Sequence, residues 1–136
     1  PPMQIEDWKG KGERVLVIDD VEEQRDIAFR MLTRLGYEAH TVSSGEEGIE
    51  YLKTHSTDLL LLDMIMDPGM DGLDTYRKIL ETHPGQRALI ASGYAETERV
   101  KQARDLGAGD YIKKPYTLPR LGSAVRKELD QPRNLP

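Results

Sequence analysis

Leu59-Leu60-Leu61-Leu62-Asp63, four leucines followed by a carboxylate, is the stretch whose reading decides the fold. It has strand length and is apolar at every position, so it predicts a strand with helices packed on both of its faces. Working outward, Val15-Leu16-Val17-Ile18 is a β-branched run of the same length. After it Ile27, Ala28, Met31, Leu32 and Leu35 recur at helical spacing until Gly36 stops them. A weaker strand at 38–42 leads to Ser44-Gly45-Glu46-Glu47, a capping box whose Ser hydroxyl and Glu carboxylate answer opposite backbone donors, with Ile49 and Leu52 as the buried stripe. On the other side a Pro/Gly-rich loop separates 59–62 from the helical stripe Leu73, Tyr76, Ile79 and Leu80. A fourth strand is predicted at 88–91. Val100, Ala103 and Leu106 mark a helix ended by Gly107, a short strand follows at 110–113, and Thr117 caps a last helix buried through Leu121, Ala124, Val125 and Leu129.

Five strands alternating with five helices imply an α/β domain, a doubly wound (βα)5 unit with an open parallel five-stranded sheet, because right-handed crossovers leave few other solutions. This rhythm leaves strand order open; the flavodoxin-like 2-1-3-4-5 is one of the two common choices. At 136 residues, with 38% hydrophobic positions, the chain has room for one such domain, expected over 13–130. Residues 1–12, with two prolines and the lone Trp8, read as a linker, and 131–136 as a tail. The absence of Cys excludes disulfide scaffolds, thiolate metal sites and cysteine nucleophiles. No apolar stretch approaches the ~20 residues of a membrane span, so membrane contact by this domain is not expected and the location is expected to be cytoplasmic, although the parent chain could be membrane-anchored. A net charge of −5 disfavours direct binding of nucleic acid.

In open parallel sheets the working crevice lies beyond the carboxyl ends of the strands. Those positions hold Asp19-Asp20, Asp63, Ser92 and Lys113-Lys114-Pro115. Any one Asp after a strand is as readily a turn former or helix cap; the set together points to chemistry. Three crowded carboxylates repel one another unless a cation compensates, and an all-oxygen donor set favours Mg²⁺ (or Mn²⁺) over Zn²⁺. An Asp in such a site can attack an activated phosphoryl group, and an ammonium and a hydroxyl can meet the charge that develops on its oxygens. Lys113 and Lys114 point to opposite faces, so one of them reaches the site. His40, His55 and His83 are scattered, without evident partners.

The segments VLVIDD, LLLLDMIMDPGMDG, LIASG and LGAGDYIKKPY, in this order and on these elements, resemble the receiver domain of two-component response regulators over 13–129. The resemblance implies the 2-1-3-4-5 order, Asp63 as phosphoacceptor, Asp19 and Asp20 as the acidic metal pair, and the backbone carbonyl of Ile65 as a further metal ligand. It also implies Ser92 as switch hydroxyl, Tyr111 as switch aromatic, and Lys114 as the phosphoryl-contacting lysine beside a cis Pro115, leaving Lys113 as a surface charge. The partners it implies are a histidine kinase or histidine phosphotransfer domain, reading the face of 99–106 and 110–112, with a homodimer through the same face. One departure stands out: the family places Pro four residues after the acceptor, whereas Pro68 is five after Asp63, so Asp67 reads as a one-residue insertion. Two other functions compete. An aspartyl-nucleophile phosphatase wants a second Asp two positions after the nucleophile, where Ile65 stands. A silent receiver used as a docking module is disfavoured by the presence of every key side chain. WKGKGERVLVIDD further resembles the junction leading into the carboxyl-terminal receiver of a hybrid sensor histidine kinase, which is the expected origin.

Overall fold

A computed structural model describes residues 7–66, 68–93 and 97–132; Asp67, the inserted loop residue, lies outside the described residues. The elements are β1 (Arg14–Ile18), α1 (Glu22–Arg34), β2 (Glu38–Val42), α2 (Gly45–Tyr51), β3 (Leu59–Asp63), α3 (Gly72–Thr82), β4 (Ala88–Ser92), α4 (Glu98–Asp105), β5 (Tyr111–Lys113) and α5 (Leu118–Asp130). Every strand pair is parallel and the order is β2-β1-β3-β4-β5, the flavodoxin-like arrangement.

The two-residue period of the strands divides the core between the two faces of the sheet. Val15, Val17, Leu59, Leu61, Leu89 and Ala91 meet Ala28 and Leu32 of α1 and Leu121 and Val125 of α5. Leu16, Ile18, Leu60, Leu62, Ala88 and Ile90 meet Leu73, Tyr76 and Ile79 of α3 and Val100 and Ala103 of α4, with Leu52 beyond α2. All four leucines of β3 are at most 1% exposed, which is what a central strand sandwiched by helices requires. Each contributes ~2 kcal/mol by leaving water. Two stripe assignments need correction: Ile27 and Leu106 are 38% and 41% exposed. At 100° per residue Ala28, Leu32 and Leu35 share a face that leaves Ile27 outside, and Leu106 lies past the last turn of α4.

Local capping follows the expected chemistry. Thr97 and Thr117 accept from Val100 N–H and Arg120 N–H at the starts of α4 and α5. Ser44 caps α2 by accepting from Glu47 N–H, but the Glu47 carboxylate reaches one residue further back than the capping box predicts, accepting from the Ser43 N–H and hydroxyl.

The segment read as a linker packs on the domain from Asp7 onward. Trp8 is 8% exposed in the α1/α5 half of the core. It fits because position 122 on α5 is glycine: a Cβ there would lie 2.9 Å from Trp8 Cβ. Gly10 N–H donates to Leu35 O at 2.7 Å, Gly12 N–H to Gly36 O at 3.1 Å, and Tyr37 hydroxyl to Trp8 O at 3.2 Å. A lone Trp ahead of two glycines has no period, so the sequence carries no local signal of this packing.

Glu128 on α5 is also buried, its carboxylate filling the space beside Gly109, where a Cβ would come within 2.0 Å of Glu128 Oε1. Burial pushes its carboxyl above the ordinary value, and the charge of Asp110 adds to this while Arg87 and Lys127 oppose it. A carboxyl whose folded-state pKa is raised favours the fold while protonated and loses that contribution as pH rises through the folded value. Glu128→Gln is therefore expected to raise the urea midpoint at pH 7 and leave it unchanged at pH 3; a lower midpoint at pH 7 would show that the charge is stabilising.

Candidate functional site

Parallel pairing brings the carboxyl ends of the strands to one edge. The β1–β3 register aligns Ile18 with Leu62, so Asp19 follows its strand beside Asp63. The β3–β4 register aligns Asp63 with Ala91, and β4–β5 aligns Ser92 with Lys113. A cleft of about 460 Å³ opens there, lined by Asp20, Asp63, Ile65, Ser92, Lys114 and Gln24 among others.

Asp19 and Asp63 are 2% and 7% exposed, and one carboxylate oxygen from each of Asp19, Asp20 and Asp63 lies within 4.8 Å of the others. Lys114 Nζ donates to Asp19 Oδ2 at 2.5 Å and to Asp63 Oδ1 at 3.1 Å. The other Asp19 oxygen accepts from Val21 N–H at 2.9 Å, and Arg25 donates to the Asp19 carbonyl at 2.9 Å, so Asp19 is held from both ends of α1's first turn. Lys114 is placed by its own N–H, which donates to Ser92 O at 2.8 Å; the Lys114–Pro115 bond that follows it is cis. Lys113 is exposed. Burial, opposed by Lys114 and reinforced by the charges of Asp19 and Asp20, leaves the Asp63 carboxyl pushed up to about 6.

Three carboxylates and an ammonium converge in one hard-oxygen cleft. That donor set fits a divalent cation such as Mg²⁺, with Asp19, Asp20 and Asp63 as the residues to hold it. Ile65, 52% exposed, belongs to the same cleft. Tyr111 does not: it lines a separate cavity of about 930 Å³ with Trp8, Arg104 and Lys127, between β5 and α5.

The matching family model is the response regulator receiver domain, over residues 15–126. The chain is a member of that family. It is 32% identical over 117 residues to the chemotaxis protein CheY of Thermotoga maritima, covering 85% of this chain and 97% of that protein. It is 27% identical over 118 residues to the sporulation initiation phosphotransferase F of Bacillus subtilis, covering 87% and 94%. Among solved structures, a CheY-like receiver domain protein from Methanospirillum hungatei superposes with a TM-score of 0.81 at 28% identity, covering 88% of this chain and 95% of that one. As a receiver domain the protein is a phosphoacceptor of two-component signalling, from a family that binds Mg²⁺ at an acidic pocket and interacts with histidine kinases and phosphotransfer proteins. No helix among the described residues is long and apolar enough to cross a membrane.

Sequence reasoning missed several residues around this receiver's cleft. Tyr116 is 7% exposed, and burial together with the charges of Asp19 and Asp63 raises its phenol far above the ordinary value. Gln24 lines the cleft and Arg25 holds Asp19 from the same turn of α1. Gly72 opens α3 in contact with the end of β3: a Cβ there would lie 2.6 Å from the Asp63 carbonyl oxygen. The signal available for Gly72 was its place directly after the capping Asp71. The histidine reading also needs correction. His40 stacks on Tyr51 with ring centroids 4.4 Å apart, Tyr51 stacks on His55 at 4.2 Å, and His83 Nδ1 lies 2.9 Å from Thr82 Oγ1. The first pairing joins β2 to α2 and exists only in the tertiary fold; none of the three lies in the acidic cleft.

Proposed function

We propose that Asp63 is the residue of this receiver domain that takes the phosphoryl group, in a site completed by Lys114, Ser92 and a Mg²⁺ ion held by Asp19, Asp20, Asp63 and the Ile65 carbonyl. The observation that carries this reading is the shared ammonium: Lys114 Nζ bonds both Asp19 and Asp63 at the open end of the sheet. An Asp63 oxygen forms the new bond to phosphorus as the bond to the donor's imidazole nitrogen breaks. The departing electron pair returns to that imidazole, which takes a proton from solvent. Mg²⁺, when bound, supplies positive charge to the transferring oxygens. Lys114 meets a second oxygen, and Ser92, 2% exposed at the end of β4, offers a hydroxyl to a third. The added charge of about −1.5 to −2 biases the packing of α4 and β5, the face that partners read. Leu106 is exposed and Tyr111 half-buried on it.

The metal part has its own test. Mg²⁺ is expected to raise the thermal midpoint of the wild-type protein in a saturable titration, because it binds the folded state alone. Asp20→Asn is expected to weaken that binding at least tenfold and to slow modification by acetyl phosphate in parallel. Equal Mg²⁺ affinity in the two proteins would remove Asp20 from the site.

A further inference from the structure

We propose that Arg99 is a positioning residue for phosphorylation of Asp63, clamping α4 to the loop that follows Asp63 and so opposing the rearrangement that the phosphoryl group demands. The proposal rests on Asp63 being the acceptor. Arg99, the second residue of α4, donates from Nε to Asp71 Oδ2 at 2.6 Å, and from a terminal nitrogen to Asp71 Oδ1 at 3.0 Å and Asp74 Oδ1 at 3.2 Å. The two parallel bonds to Asp71 match the planar fork of guanidinium to the carboxylate, a geometry Lys cannot reproduce.

Asp71 is more than a surface carboxylate. It caps α3 by accepting from Asp74 N–H at 2.9 Å, and its carbonyl accepts from the Thr75 hydroxyl at 2.7 Å. The next residue, Gly72, donates to Met64 O at 2.8 Å and abuts the Asp63 carbonyl. The start of α3 is therefore tied to the strand end that carries Asp63. At its other flank the same loop is held by Glu46, which accepts from Met70 N–H at 3.3 Å.

α4 belongs to the other strand end, since it follows β4 and Ser92. Arg99 thus joins the elements attached to the two residues that must close on one phosphoryl group. On this proposal the contact must stretch for the two to close, so it lowers the population of the competent arrangement by its own strength. Both partners are partly exposed, with side chains 44% and 28% accessible, so the effect is modest: about threefold, within the range measured for well-formed exposed pairs.

The test compares Arg99→Met, Arg99→Lys and Arg77→Ala with the wild type. Arg77 donates to Gln102 at 3.2 Å, a second α3–α4 link that does not touch Asp71. The readouts are the initial rate of modification by acetyl phosphate at saturating Mg²⁺, the Mg²⁺ affinity, and the urea midpoint. The expected result is a roughly threefold faster rate for Arg99→Met, an intermediate rate for Arg99→Lys and the wild-type rate for Arg77→Ala, with one Mg²⁺ affinity throughout. A rate for Arg99→Met equal to or below wild type overturns the clamp, as does an equal acceleration by Arg77→Ala or an altered Mg²⁺ affinity. If the wild type itself is never modified, the acceptor reading fails and takes the clamp with it; a modified wild type with an unchanged Arg99→Met removes the clamp alone.

Discussion

Asp63→Asn is expected to abolish modification by a small phosphodonor and, in metal-free buffer at pH 7, to make the protein more stable by about 2 kcal/mol. The first effect follows from chemistry: an amide offers no anionic oxygen to attack phosphorus. The second follows from where the carboxylate sits. Asp63 is buried beside Asp19 and within reach of Asp20, with a single ammonium shared between it and Asp19. Burial and these like charges raise its carboxyl to about 6, so ionisation at neutral pH costs the folded state more than the unfolded one. Asn removes that charge at nearly constant volume and keeps an oxygen for Lys114. Chemical denaturation with and without Mg²⁺ measures the difference. Saturating Mg²⁺ should narrow the gap by stabilising the wild type preferentially. A less stable Asp63→Asn protein in metal-free buffer would mean that the Lys114 bond outweighs the repulsion.

Gly72→Ala is the second large effect. The new methyl would run into the backbone of the Asp63–Met64 link, 2.6 Å from the Asp63 carbonyl oxygen and 2.9 Å from Met64 Cα, where no rotamer change gives relief. Separation of α3 from the end of β3 is the only escape, at a cost of about 2–3 kcal/mol of stability. That separation also stretches the 2.8 Å bond from Gly72 N–H to Met64 O and displaces Asp63 from Lys114. Phosphoryl transfer depends on alignment, and a displacement on the order of 1 Å costs roughly a hundredfold in rate. The rate of Gly72→Ala with acetyl phosphate is expected to fall at least tenfold, under conditions where circular dichroism shows a folded protein. An unchanged rate would show that the α3 junction does not set the position of Asp63.

The sheet and its faces were legible because they rest on local chemistry. Alternation such as Val15 and Val17 against Leu16 and Ile18 assigns each residue to one half of the core, and the unbroken leucines of β3 place it in the middle. Convergence of Asp19, Asp20, Asp63 and Lys114 was legible because parallel strands carry their carboxyl ends to one edge whatever the loops do. What was not legible depends on contacts between distant segments with no period of their own. Trp8 finds its place only because residue 122, on the last helix, is glycine. His40 meets Tyr51 only after β2 and α2 fold together, and Arg99 meets Asp71 only once α3 and α4 lie side by side. Tyr116 is buried within reach of the charges of Asp19 and Asp63 only once β1, β3 and β5 join one sheet, and its residue type gave no sign of this.

The decisive measurement is the position of the phosphoryl group after incubation with acetyl phosphate and Mg²⁺, read by mass spectrometry of the intact protein and of its peptides. One phosphoryl group is expected, on the peptide containing Asp63, absent in Asp63→Asn and absent when the metal is chelated. A phosphoryl group on another residue, or an unmodified protein with Mg²⁺ demonstrably bound, would contradict the assignment of this cleft as the phosphorylation site.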